Sequence, residues 1–128
     1  METINRQDFI LTMEEKLNYL HVRASGIRSR ENAQYLSTQV FNTALEKHLS
    51  KIHLDIRDLV GDFGYLDIIM LVKEVLRNLR GKGVDRVAII DIHRSTRDGW
   101  FLEPVAQSQG INIRVFPDGE SAAKWLGE

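Results

Sequence analysis

Apolar and polar positions alternate with period two near the start of the chain. Phe9, Leu11 and Met13 interleave with Ile10 and Thr12, and Leu20, Val22 and Ala24 interleave with His21, Arg23 and Ser25. The polar run Glu14-Glu15-Lys16 lies between them, so the pattern predicts an antiparallel hairpin ended by Gly26. The period then changes to that of a helix over residues 30–49. Ser29 is placed to cap it, and Ala33, Leu36, Val40, Phe41 and Ala44 form its apolar stripe, with His48 on the same stripe. A strand is expected over 51–57, with Ile52, Leu54 and Ile56 inward and His53 and Asp55 outward. Gly61 and Gly64 mark a loop before a second helix over 65–80, which Gly81 and Gly83 stop. Residues 87–92 are apolar on both faces and read as the most buried strand. Pro104 is tolerated only in a first turn, so a third helix within 95–109 is expected to start late, near 99–103, or to kink. A last strand at 111–116 leads to a short helix capped by Asp118 and carrying Ala122, Trp125 and Leu126.

Strands that alternate with helices after a hairpin predict an α/β fold with a mixed, mostly parallel sheet and right-handed crossovers. His21 and Arg23, His53 and Asp55, and Asn112 and Arg114 give three of the strands a polar face. A doubly wound sheet buries both faces, so this pattern predicts helices mainly on one face and a partly wet second face, unlike a Rossmann or flavodoxin-like domain. No repeat or Gly/Ser linker divides the 128 residues, and a single domain over 1–128 is expected.

Charge and composition narrow the function classes. Seventeen basic and eighteen acidic side chains give a formal charge of −1, which supplies no broad attraction for nucleic acid. There is no cysteine, so disulfides, thiolate nucleophiles and Cys-type metal sites are excluded. The polar N-terminus does not read as a signal peptide, and the apolar run 68–72 is too short for stable membrane insertion. A cytoplasmic location is the simplest expectation.

The chain has neither a P-loop nor a G-x-G-x-x-G motif. The Gly61-Asp62-Phe63-Gly64 turn carries an acid and no lysine, and it reads as a turn needing positive φ. Asp55 and Asp91, with Asp58, Asp62 and Asp67 nearby, fall near strand ends where a magnesium ion could sit. No fixed ligand spacing supports one, and turn or helix-dipole roles explain the last three. His21, His48, His53 and His93 share no metal-ligand spacing. His93 could pair with Asp91 toward Ser95 or Thr96, but there is no nucleophile elbow, and an enzyme built on Asp55, Asp91 and His93 is the weakest reading. Lys73, Arg77, Arg80 and Lys82 gather where a helix C-terminus favours cations. No aromatic set accompanies them for base stacking, so no nucleic-acid partner is expected. No cofactor and no metal are implied.

The second helix carries the sharpest functional signal. At 100° per residue, Ile68, Leu71, Val72, Val75, Leu76 and Leu79 fall in one core stripe. Leu66 and Met70 fall outside it, near Lys73 and Arg77, and Phe63 and Tyr65 precede them. Either the chain's own hairpin or a neighbouring helix covers this apolar end, or a partner or apolar ligand does.

The segments Ile52-His53-Leu54-Asp55-Ile56-Arg57-Asp58, 61–71, Gly83-Val84-Asp85-Arg86-Val87-Ala88-Ile89-Ile90, Phe101-Leu102-Glu103 with Ala106, and 110–116 resemble the SpoIIAA-like proteins of the STAS superfamily. These are small bacterial domains related to anti-sigma factor antagonists, and the likeness runs from about residue 9 to 126. It implies a β/α superhelix and a non-enzymatic, regulatory protein-interaction role. In true antagonists a serine at the start of the second helix is phosphorylated. Gly64 or Tyr65 stands there in this chain, and no serine or threonine occurs between Arg57 and Lys73. The docking surface expected on this reading is Asp62, Phe63, Tyr65, Leu66 and Met70, facing a protein partner or a second copy in a homodimer. The alternative is a small apolar-ligand or lipid carrier of CRAL-TRIO-like character, with the same residues at a cavity mouth.

Overall fold

The computed structural model describes residues 1–61, 64–91 and 102–127, together with the backbone but not the side chains of Tyr65 and Leu79. Its six strands form one sheet in sequence order: β1 (Glu2–Arg6), β2 (Phe9–Glu15), β3 (Leu20–Ile27), β4 (Lys51–Val60), β5 (Arg86–Ile90) and β6 (Ile113–Phe116). Short turns make β1, β2 and β3 antiparallel, and helical crossovers make β3 to β6 parallel. The expected hairpin is therefore the inner part of a three-stranded meander. The first strand has a single apolar residue, Ile4, so alternation did not reveal it.

Among the described residues there are four α-helices: α1 (Arg30–Glu46), α2 (Tyr65–Glu74), α3 (Leu102–Ser108) and α4 (Gly119–Leu126). The Ser29 hydroxyl accepts from the Asn32 N–H at 3.1 Å, and the Asp118 carboxylate accepts from the Ser121 N–H at 2.7 Å, as expected of N-caps. Pro104 occupies the third position of α3, where no intrahelical N–H is needed.

The second helix is shorter than its apolar pattern suggests. It leaves α geometry at Val75 and tightens into a 3-10 turn, Leu76–Leu79. The Asn78 side-chain amide donates to the Glu74 carbonyl at 3.1 Å, so a side chain satisfies an acceptor at the break. The first helix also ends early. His48 is exposed and adopts a left-handed φ of 57° instead of continuing the core stripe. Leu49 N–H donates to the Ala44 carbonyl and His48 N–H to the Leu45 carbonyl, so a Schellman turn closes α1 on a residue other than glycine.

The main core lies on one face of the sheet. Leu11, Leu20, Val22, Ile52 and Val87 pack there against Leu36, Val40 and Ala44 of α1, Ile68 and Val72 of α2, and Ala106 of α3. Among the described residues, α4 is the helix that covers the second face. Ala122, Trp125 and Leu126 close over Ala88 and Ile90, with Tyr19 and Phe116 at the margin. This corrects the outward placement of His53 and Asp55: both are buried, at 8% and 7% exposure. Among the described residues, the same face of β1 to β3 lies outside that cluster, with Thr3, Asn5, Ile10 and Arg23 exposed.

Candidate functional site

The loop into α2 depends on two local constraints. Gly61 has φ 132°, and a Cβ there would sit 3.0 Å from the Arg28 carbonyl oxygen, so no other residue fits without strain. Gly64 caps α2, and its N–H donates to the Asp67 carboxylate at 3.1 Å. Asp67 also accepts from Arg30 Nε at 2.9 Å, which ties the front of α2 to α1. Asp67 therefore does the work of a first-turn acid and is not placed for metal binding.

This anchoring fixes which side of α2 looks outward. Ile68, Leu71, Val72 and Leu76 are buried in the main core. Leu66 is 68% exposed and Met70 is half-buried, one turn further on. Lys73 and Arg77 are exposed beyond them. Tyr65 is the first residue of α2, beside Leu66 in sequence. Asp62 and Phe63 lie outside the described residues.

A buried ion pair lies at the C-terminal ends of the parallel strands. Arg28 Nη1 and Nη2 donate to the two Asp91 carboxylate oxygens at 3.1 and 3.2 Å, and Nη2 also reaches the Ile56 carbonyl at 3.4 Å. The two side chains are 11% and 5% exposed. Asp55 belongs to a different set. Arg57 grips it from the same strand, with Nε and Nη2 at 3.0 and 2.7 Å and its own backbone N–H at 3.1 Å. Burial raises the Asp55 carboxyl, but the bonds from Arg57 more than offset it and leave its pKa below the usual range. Asp58 pairs with Arg23 on the surface at 3.1 Å. Of the acids that sequence placed near one crevice, Asp55, Asp58, Asp67 and Asp91 are thus each neutralised by a separate arginine, and no group of three metal-binding side chains occurs among the described residues. His93, Ser95 and Thr96 lie outside the described residues.

The margin of the α4-covered part of the second face holds one grouping that sequence reading missed. His21 and His53 are opposite each other in the β3–β4 register, with ring centroids 4.9 Å apart, and Tyr19 lies 6.0 Å from His53. Burial lowers both imidazole pKa values. His53 lowers His21 further, whereas the Gly119 backbone and Asp55 pull His53 partly back. His53 Nδ1 is buried without a hydrogen-bond partner. The three residues are separated by up to 34 positions in sequence, so only the strand register could have revealed them.

No protein-family profile matches the chain, and no curated protein matches it. Two solved structures share its architecture. An anti-sigma factor antagonist from Mycobacterium paratuberculosis superposes with a TM-score of 0.60 at 14% identity, over 94% of this chain and 95% of that one. An uncharacterized protein of the DUF3478 family from Shewanella loihica PV-4, described as having a SpoIIAA-like fold, superposes with a TM-score of 0.54 at 20% identity, over 98% and 99%. The resemblance seen in the sequence segments thus holds at the level of architecture: a mixed six-stranded sheet with an antiparallel N-terminal edge and parallel strands behind it is the SpoIIAA-like fold.

Proposed function

We propose that this chain is a non-enzymatic, STAS-like interaction module that docks a protein partner on the outward side of the first two turns of α2. The exposure of Leu66 carries the reading. A leucine that is 68% exposed, followed one turn later by a half-buried methionine, stands on a helix whose Ile68, Leu71 and Val72 are packed in the core. Covering a leucine side chain contributes roughly 1.5–3 kcal/mol when complete, enough for an interface anchor. Methionine adapts to a partner's shape, and Tyr65 and Phe63 would add aromatic area beside it. Asp62 would supply a polar rim. The likeness to an anti-sigma factor antagonist supports a partner-binding role. No serine or threonine occurs between Arg57 and Lys73, so docking on this surface would not use a phosphoserine switch there.

The test is a photo-crosslinking residue placed at position 66 in cells, followed by titration of the purified crosslinked protein. Leu66→Asp alone and Leu66→Asp/Met70→Asp are each expected to weaken binding at least tenfold, with Leu66→Asp leaving the melting temperature unchanged. Equal affinity of Leu66→Asp and wild type for the crosslinked protein would remove the proposal. Native mass spectrometry separates the carrier alternative: an added acyl mass on wild type that is lost in Leu66→Asp/Met70→Asp would favour a ligand over a partner.

A further inference from the structure

The first strand is an open edge of the sheet, and its sequence is self-complementary. β1 pairs with β2 on one side, and no strand pairs with its other side among the described residues. An unpaired strand edge is a template for another strand. Two copies of Glu2-Thr3-Ile4-Asn5-Arg6 laid antiparallel about Ile4 bring Glu2 opposite Arg6 of the second copy, Thr3 opposite Asn5, and Ile4 opposite Ile4. Opposed residues of an antiparallel pair project to the same face, so both ion pairs form side by side with the isoleucines between them.

Protective edges in natural sheets use charge to prevent this pairing. Like charges at both ends of a strand repel a second copy in the antiparallel arrangement. Here the signs are opposite and equidistant from Ile4, so the arrangement attracts. Arg6 is also held in place, because its guanidinium lies 4.2 Å from the centre of the Tyr35 ring. A cation already stacked on an aromatic ring loses less freedom when it meets a carboxylate. Ile4 is half-buried against the main core, so part of its side chain remains uncovered for a second copy to bury.

We propose that the chain forms a two-fold homodimer through β1, joining the two sheets into one of twelve strands. The contact is isologous, and each ion pair occurs twice. It uses a different part of the molecule from the α2 surface and does not depend on it.

Sedimentation equilibrium over a concentration series tests it. Wild type is expected to show a reversible monomer–dimer equilibrium. Glu2→Arg and Arg6→Glu each place like charges across the dyad twice, and each is expected to weaken the dimer by about tenfold or more. The double exchange Glu2→Arg/Arg6→Glu restores opposite charges and is expected to recover the dimer, which damage to the strand itself could not produce. Leu66→Asp is expected to leave the dimer intact. A wild type that stays monomeric, a dimer indifferent to the single reversals, or a double exchange that fails to recover association each overturns the proposal.

Discussion

Arg28→Met is expected to be among the most destabilising single changes in the chain, although arginine is usually a surface residue. Its guanidinium joins three strands: its own backbone follows β3, its partner Asp91 follows β5, and it reaches Ile56 within β4. With side-chain exposures of 11% and 5%, water restores little when one partner is lost. A buried pair contributes little net stability over an apolar replacement, but removing one member costs roughly 3–5 kcal/mol. At roughly 2.1 cal/mol/K per residue, 128 residues give an unfolding entropy near 0.27 kcal/mol/K, so the expected drop in melting temperature is about 11–19 °C. Asp91→Asn preserves shape and removes the charge, and its expected cost is about 2–4 kcal/mol. The decisive assay is a double-mutant cycle by urea unfolding. Arg28→Met/Asp91→Asn should cost less than the sum of the singles by about 2 kcal/mol or more. A coupling within about 0.5 kcal/mol of zero would show that the two side chains act independently and would refute the argument.

Two further outcomes follow from local geometry and charge. His48 holds φ 57° at the end of α1, so His48→Gly should stabilise the fold by about 1 kcal/mol in urea unfolding, whereas His48→Ala should not. Both His21 and His53 have pKa values lowered by burial, below the 6.5 of the free side chain. The unfolded chain then binds more protons than the folded one, so stability is complete above about pH 6.5 and falls as pH drops toward the folded pKa values. Urea midpoints across that range should show a shallower pH slope in His53→Gln than in wild type, and an unchanged slope would mean that burial of this ring does not govern its proton.

The helices and their order were legible because helical periodicity is local. Ser29 and Asp118 act as caps, Pro104 sits in a first turn, and the burial of Ile68, Leu71 and Val72 follows the 100° stripe. The same arithmetic placed Leu66 and Met70 off the core, as the structure shows for Leu66. What sequence missed depends on distant segments. β1 is fixed by pairing with β2 and not by its own composition. His53 and Asp55 looked outward because the strand alternates, yet both are buried, His53 against the Gly119 backbone at the start of α4, more than sixty residues later, and Asp55 in the grip of Arg57. The separation of Asp55 from Asp91 follows from strand faces and from the different arginines that hold them, Arg57 on Asp55's own strand and Arg28 at a separation of 63 residues from Asp91.

The two proposed surfaces differ in the part of the chain that carries their specificity. On α2 the information lies in side chains at helical spacing, held by Asp67 and Arg30, so a partner reads shape and apolar area. On β1 it lies in a backbone edge whose register is set by one charge pair repeated by symmetry. Because α1 packs between α2 and the β2–β3 strands, pairing through β1 leaves α2 uncovered on each copy. A dimer of this kind presents two identical docking surfaces on one rigid sheet. A partner that is itself multivalent then gains affinity from the second contact at an effective concentration fixed by the sheet, without any change in the α2 interface. Self-association therefore serves the interaction role instead of competing with it, which a dimer formed through α2 could not do.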